Sequence, residues 1–157
     1  EEWYLQVREM VDMHQCSYVL GSSMGGVIAL RVAEERHLDG VVAVGPGLEF
    51  APSYVPDVLT GRLIPPLLGY MKKSEPYGTI DDPVERVKHL SGYSFPLHAL
   101  PQIMDLADAV RRDVGGFDTP ILFIHARDDT VTTLDGSKDL FEEITSPKDR
   151  TNTPKTN

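Results

Sequence analysis

The sequence predicts an α/β fold, in which helices flank a mainly parallel sheet. Three short β-prone runs, Ser17–Leu20, Gly40–Val44 and Pro120–His125, are separated by segments in which apolar residues recur with helical spacing. The second run reads Gly-Val-Val-Ala-Val and lacks the alternation of a strand that has one face in water. Continuous apolar strands that alternate with helices are typical of a parallel sheet buried on both faces.

Helices are predicted on either side of these strands. The helical spacing places them over Glu1–Met13, Gly26–Arg36, Gln102–Val114 and Gly136–Ile144. Gly21 ends the first strand and Gly45-Pro46-Gly47 ends the second. Glycine and proline at such points indicate tight turns, so each strand leads abruptly into the next segment.

The segment between Gly45 and Pro101 has a different composition. It holds nine of the 12 prolines and shows no strand alternation, so we expect a helical, loop-rich insertion over about residues 48–100. Short helices are predicted at Val55–Gly61 and Pro83–Leu90. Residues 148–157 carry no apolar side chain able to enter a core, and we expect them to form a disordered polar tail.

Length and charge exclude several classes of function. A chain of 157 residues is the size of one ordinary domain. Its formal net charge of −9 argues against a nucleic-acid partner, because phosphate binding needs a concentrated basic face. No apolar run reaches the ~18 residues of a spanning helix, so no integral membrane segment is expected. The single cysteine, Cys16, cannot form an internal disulfide, and we expect a reducing, cytoplasmic location.

The strongest chemical signal is Gly21-Ser22-Ser23-Met24-Gly25, which fits G-x-S-x-G with Ser23 at its centre. A strand that turns abruptly into a helix strains the central serine and projects its hydroxyl above the sheet edge. Gly21 and Gly25 are expected to let the turn close, and the Met24 N–H is placed to donate to a developing oxyanion. The alternative is an ordinary Gly/Ser-rich turn, but the flanking strand and helix favour a nucleophile elbow.

A second signal follows the third strand, where Ala126-Arg127-Asp128-Asp129-Thr130-Val131 begins. The carboxyl ends of parallel strands meet at one edge of a sheet, so an Asp in this loop lies at the same edge as Ser23. There it is able to orient and stabilise a general-base histidine. The alternative for either Asp is a solvated acidic loop or the cap of the next helix.

These residues together resemble the α/β-hydrolase superfamily, most closely its carboxylesterase and monoacylglycerol-lipase-like branch. The resemblance rests on the strand–Gly-Ser-Ser-Met-Gly-Gly–helix unit, the Pro-rich insertion and the run from Thr119 to Val131. It implies that Ser23 is the nucleophile, that the Met24 N–H is one oxyanion donor, and that residues of about 48–100 form a lid over an acyl pocket. Counted from Ala126, the acid implied is Asp129, with Asp128 as the alternative.

The chain departs from the family pattern because no histidine follows Asp129. All five histidines come earlier, and only two of them, His89 and His98, lie in the insertion, where they are able to fold over the site. We therefore expect residues 1–147 to be a partial hydrolase domain, a fragment with weak activity. No spacing of His, Cys and carboxylates suggests a metal site, and no cofactor is expected.

The function expected from these features is serine-dependent hydrolysis of a small-molecule carboxylic ester with an apolar acyl or alcohol part. From a different class, the chain is alternatively a non-catalytic, hydrolase-like binding or interaction module. The absence of a histidine after Asp129 favours that alternative if the chain is complete. The sequence does not predict the oligomeric state.

Overall fold

The structure is a computed structural model, and it describes residues 2–52, 69–72, 80, 82–88, 94–144 and 148–153. The helices are α1 (Glu2–His14), α2 (Met24–Glu35), α3 (Pro83–Lys88), α4 (Ala99–Arg112) and α5 (Leu134–Glu143), with a 3-10 turn at Val114–Gly116 after α4. The strands are β1 (Tyr18–Ser22), β2 (Gly40–Val44), β3 (Tyr70–Lys72), β4 (Ser94–Pro96), β5 (Ile121–Ala126) and β6 (Lys148–Thr153).

The main sheet is parallel and has the strand order β1-β2-β5-β6. Its register sets Gly21 beside Ala43 and Ala43 beside Phe123. The carboxyl ends of β1, β2 and β5 therefore lie at one edge of the sheet. The α/β class and the parallel sheet predicted from the sequence are confirmed.

The core is formed where one face of the sheet packs against helices. Alternate residues of β2 and β5 are buried on that face, because side chains of a strand alternate between its two faces. Helix α2 packs against β1 and β2 and is buried around much of its surface. The residues of this core include Val27, Leu30, Val41, Ala43, Ile121, Phe123 and Leu140. This packing fixes the helix that begins next to Ser23.

Part of the insertion differs from the sequence expectation. Strands β3 and β4 pair antiparallel, with Met71 beside Phe95, so the prediction of an insertion without strands was wrong. Each strand has three residues, too few to show an alternating pattern in the sequence. The helix predicted at Pro83–Leu90 is present as α3, whereas the one predicted at Val55–Gly61 lies outside the described residues.

The polar C-terminal segment also differs from expectation. Residues 148–153, predicted to be disordered, form β6 and pair in parallel with β5. The prediction considered only whether side chains enter a core. A strand at the edge of a sheet is held by backbone hydrogen bonds to its neighbour, and polar residues are common at such edges. Residues 154–157 lie outside the described part of the chain.

The junction between β1 and α2 depends on one glycine. A Cβ built on Gly21 would lie 2.0 Å from the Gly25 carbonyl oxygen, a distance that no real structure accommodates. A Cβ built on Gly25 meets no atom within 4 Å. The sequence expectation that both glycines allow the turn to close therefore holds, on steric grounds, for Gly21 and not for Gly25.

We predict that Gly21→Ala destabilises the fold by ~3 kcal/mol or more, because the backbone of β1 or α2 must shift to relieve the clash. Gly25→Ala is the matched control and should change stability by less than about 1 kcal/mol, since alanine is a better helix former than glycine. Urea unfolding followed by circular dichroism measures both. Equal stability of the two variants would contradict the steric explanation.

A charged cluster joins the C-terminal end of α2 to the end of α4. Arg31 Nη1 donates to Glu34 Oε2 at 2.6 Å and to Asp113 Oδ2 at 2.7 Å. The Glu34 side chain is only 3% exposed, and its Oε1 is buried without a hydrogen-bond partner among the described residues. Burial raises the pKa of Glu34 from 4.5 to about 7, despite the opposing effect of Arg31.

This pKa predicts a pH-dependent contribution to stability. The folded chain binds a proton at Glu34 more tightly than the unfolded chain, so this group's contribution is largest below about pH 4.5 and is lost as pH rises to 7. Glu34→Gln does not titrate. The melting temperature of Glu34→Gln relative to wild type should therefore be higher at about pH 8 than at pH 5.

Glu35→Gln is the control for this prediction. The pKa of Glu35 is lowered, chiefly by a hydrogen bond with Tyr4, so its contribution to stability is present at neutral pH and is lost only in acid. The difference in melting temperature between Glu35→Gln and wild type should stay nearly constant above pH 5. A pH trend for Glu35→Gln as large as that for Glu34→Gln would contradict the assignment.

Candidate active site

Ser23 lies between β1 and α2 in a backbone conformation that is rare for a residue with a side chain. Its φ is 54° and its ψ is −120°. Its N–H donates to the Val44 carbonyl at 2.9 Å, and its own carbonyl accepts from Gly26 and Gly47 N–H groups, both at 3.0 Å. The β2 end and the following loop thus hold Ser23 on both sides and maintain the strained geometry.

The Ser23 side chain is exposed and makes no capping hydrogen bond to α2. A serine at this position normally caps the helix, so its hydroxyl is free for another role. Met24 begins α2, and the N–H groups of a first helical turn lack acceptors within the helix. The positive end of the helix dipole is therefore next to the Ser23 hydroxyl.

Asp129 lies in the loop after β5, and four described atoms surround its carboxylate. Oδ1 accepts the N–H groups of Val131 at 2.8 Å and Thr132 at 3.0 Å. Oδ2 accepts the Thr132 hydroxyl at 3.2 Å and lies 3.6 Å from His125 Nε2. The Asp129 side chain is 21% exposed, whereas Asp128 is an exposed residue. This orientation favours Asp129 over Asp128 as the acid of the site.

Gly45 lies between these two residues, at the end of the strand that separates β1 from β5. Its φ is +47°, and a Cβ built on it would lie 3.5 Å from Asp129 Oδ2. Its N–H donates to the Ile124 carbonyl at 2.8 Å. The positive φ would strain a side chain at position 45, and its Cβ would lie in van der Waals contact with the carboxylate, so glycine suits this position.

The segment that follows Gly45 ties the two halves of the site together. Gly47 bonds to Ser23, and two residues later Glu49 accepts the Thr133 N–H at 2.9 Å. The Ala51 N–H donates to the Val131 carbonyl at 2.9 Å, next to a bridge between Phe50 and Thr132. From the sequence, Gly45-Pro46-Gly47 was predicted only to end a strand. The connecting role was not predicted, because the bonds of Glu49 and Ala51 join residues about 80 positions apart.

His125 is a buried, hydrogen-bonded histidine rather than the general base. It is 3% exposed, and its Nδ1 lies 2.8 Å from Ser137 Oγ. Ser137, His125 and Asp129 thus follow one another in the order of a catalytic triad. Ser137 is itself only 3% exposed in α5, so a substrate cannot reach it.

The other histidines do not complete a triad within the described residues. His14, His37 and His98 are exposed, and no hydrogen bond from them to Ser23 or Asp129 is present in this part of the chain. His89 lies outside the described residues. None of the histidines in the described part of the chain is therefore placed to link Asp129 Oδ2 to Ser23.

Other chemistry is not indicated by the described residues. Among them, no group of three or more His, Cys, Asp or Glu is arranged to hold a metal ion. None of their helices combines the length and the apolar character needed to cross a bilayer. A cleft of about 440 Å³ is lined by Arg31, Glu34, Arg112 and Asp113, at the end of α2 opposite to Ser23.

Comparison with known proteins shows the same fold. A monoacylglycerol lipase from Paleococcus ferrophilus superposes with a TM-score of 0.78 at 20% identity, over 96% of this chain and 64% of that one. A soluble variant of monoglyceride lipase from Saccharomyces cerevisiae gives 0.76 at 18% identity, over 96% and 59%. Est1E from Butyrivibrio proteoclasticus gives 0.62 at 16% identity, over 97% and 59%.

The chain thus spans less than two thirds of the length of these structures. No curated protein matches it significantly. The family described as serine aminopeptidase, S33, matches residues 5–155. The resemblance drawn from the elbow and the Asp129 loop is confirmed, and the chain belongs to this family of hydrolases within the α/β-hydrolase superfamily.

Proposed function

We propose that this chain carries the nucleophile and the acid of a serine hydrolase that acts on carboxylic esters with an apolar acyl or alcohol part. The observation that carries the proposal is the conformation of Ser23. Its backbone is strained, its side chain is exposed, and it directly precedes the first residue of α2. Ordinary turns that use this conformation place glycine, asparagine or aspartate there, so a serine held in it is unusual. A nucleophile elbow needs it, because it presents the hydroxyl above the sheet edge.

The geometry supports an acyl-enzyme mechanism. Ser23 Oγ attacks the ester carbonyl carbon, and the oxygen that becomes negative accepts a hydrogen bond from the Met24 N–H. The tetrahedral intermediate then expels the alcohol and leaves the acyl group on Ser23. Water attacks this ester in turn, which releases the acid and restores the serine.

Both steps need a base that takes a proton from the attacking oxygen and returns it to the leaving oxygen. Asp129 is not assigned as that base, because both of its oxygens already accept hydrogen bonds within its own loop and the acid of a triad acts on the base rather than on the serine. Its role is to orient an imidazole through Oδ2, the oxygen that faces Gly45. No histidine stands among the residues from Thr130 to Asn157, so we expect this chain to have low activity by itself.

Ester substrates are favoured by the structural neighbours, whose names include lipases and esterases. The family name refers to an aminopeptidase, and amide hydrolysis uses the same nucleophile and acid. Esters are the better first probe, because an alcohol is a better leaving group than an amine. The second candidate is a non-catalytic binding module, since none of the described histidines hydrogen-bonds to Ser23 and so completes a triad with it.

We predict that the purified chain hydrolyses p-nitrophenyl butyrate only slowly, and that Ser23→Ala removes the slow reaction. Loss of one triad member typically costs several orders of magnitude, while oxyanion stabilisation leaves a residual rate. Free imidazole should raise the Ser23-dependent rate, since it supplies the base. Asp129→Asn should lower the imidazole-dependent rate about tenfold or more. Ser22→Ala is the matched control for Ser23→Ala, and Asp128→Asn is the matched control for Asp129→Asn.

Two outcomes would count against this account. Fast turnover without imidazole would mean that a histidine of this chain completes the site, and His89→Ala and His98→Ala would identify it. A rate that is equal in wild type and Ser23→Ala, with and without imidazole, would favour the binding module.

A further inference from the structure

Three buried polar side chains lie together beneath Asp129. His125 and Ser137 are each 3% exposed and Thr132 is 1% exposed. Polar groups in a core are costly unless they are hydrogen-bonded. These three bond mainly to one another, and the proposed mechanism uses none of them. Their arrangement therefore calls for an explanation beyond packing.

The distances define a chain of contacts that ends at the carboxylate. Ser137 Oγ lies 2.8 Å from His125 Nδ1. His125 Nε2 lies 3.4 Å from Thr132 Oγ1 and 3.4 Å from the Thr132 carbonyl oxygen. Thr132 Oγ1 lies 3.2 Å from Asp129 Oδ2. The chain runs from α5 through the end of β5 to the loop that holds the acid.

Proton counting gives the chain a direction. A hydroxyl has one hydrogen, and an ionised carboxylate only accepts, so the Thr132 hydroxyl donates to Asp129. The ring nitrogen next to Thr132 Oγ1 must then be a donor, which places the imidazole proton on Nε2. A neutral imidazole carries a single ring proton, so Nδ1 is then an acceptor and the Ser137 hydroxyl donates to it. Each donor thus points towards Asp129.

The same N–H of His125 faces three oxygens: two of Thr132 at 3.4 Å and Asp129 Oδ2 at 3.6 Å. Its dipole therefore adds to the positive potential around the carboxylate without a full hydrogen bond to it. Aligned hydrogen bonds in a region of low dielectric strengthen one another. The cluster thus stabilises one orientation of both Thr132 and Asp129.

We propose that Thr132 is a positioning residue for Asp129, and that the His125–Ser137 pair fixes the direction of the Thr132 hydroxyl. The inference rests on the proposed hydrolase function. Thr132 donates two hydrogen bonds to the carboxylate, from its N–H to Oδ1 and from its hydroxyl to Oδ2. Because Oδ1 also accepts the Val131 N–H, Oδ2 is the oxygen left to bind an imidazole over Gly45. Rotation of the carboxylate would remove that acceptor.

The test uses Thr132→Val, which keeps the shape and the backbone N–H but lacks the hydroxyl, and Thr132→Ser, which restores it. The measured quantity is the Ser23-dependent hydrolysis of p-nitrophenyl butyrate with added imidazole, taken as the difference from Ser23→Ala. Thr132→Val should lower kcat about tenfold, in keeping with the loss of one hydrogen bond to a charged group, and leave KM for the ester unchanged. Thr132→Ser should recover most of the rate.

A double variant separates positioning from a general loss of stability. Since Thr132 acts through Asp129, Thr132→Val combined with Asp129→Asn should be no slower than Asp129→Asn alone. Thr119→Val is the matched control, because Thr119 is equally buried and hydrogen-bonded but lies before β5, at its other end. It should lower the melting temperature and leave the rate unchanged.

An unchanged rate in Thr132→Val, or losses that multiply in the double variant, would overturn the proposal. A second readout does not depend on activity. Long-range proton–nitrogen NMR spectra of the wild type at about pH 8 should show the His125 proton on Nε2, with this signal shifted in Thr132→Val. A proton on Nδ1 would reverse the direction of these hydrogen bonds and refute the inference. This holds even if the Ser23-dependent rate is zero and the hydrolase function itself has failed.

Discussion

The left-handed backbone at Ser23 is the constraint on which the rest of the site depends. A residue with a side chain pays roughly 1–3 kcal/mol for such a conformation. Hydrogen bonds that include those to Val44, Gly26 and Gly47 hold it in place, and each contributes about 1 kcal/mol net. Gly21 makes the arrangement possible, because its missing side chain lets the Gly25 carbonyl come within reach of β1. Without that close approach α2 could not begin directly after Ser23.

The position of the acid follows from the same junction. Val44 and Gly47, which hold Ser23, belong to the end of β2 and to the loop that continues from it. That loop extends to Ala51 and binds the strand-like segment around Thr132 on the far side. Movement of the loop would therefore displace Ser23 and Asp129 together. The pairing of β2 between β1 and β5 makes this connection short, which is how residues about 100 positions apart come to share one edge.

Local chemistry made the elbow and an acidic loop at the same sheet edge predictable, whereas the choice of Asp129 over Asp128 came from the family resemblance. The sterics of Gly21 and the strain at Ser23 act within five residues, and the Val131 and Thr132 N–H groups that orient Asp129 lie two and three residues away from it. The order of helices and strands followed from periodicity, which is also a local property. These features could be inferred without knowledge of the rest of the fold.

What could not be predicted depends on contacts distant in sequence. Strand β6 was missed because its polar residues join the sheet through the backbone of β5, which composition does not reveal. The pairing of β3 with β4 was missed because strands of three residues are too short to show an alternating pattern. Among site features, the bonds from Glu49 and Ala51 to the acid loop link segments about 80 residues apart. The cluster of His125, Thr132 and Ser137 has ordinary residues at unremarkable spacing, and only the packing of α5 on β5 brings Ser137 to His125.

The central claim, that Ser23 is a nucleophile held ready by its backbone, is tested most directly by its acyl-enzyme. A base is needed to remove the acyl group as well as to form it, so a chain with a weak base should retain the product of the first step. After prolonged incubation with p-nitrophenyl butyrate, peptide mass spectrometry should find one butyryl group on Ser23, and none on the corresponding peptide of Ser23→Ala. An unmodified Ser23, or a butyryl group found equally on Ser22 and on other exposed serines, would contradict the account.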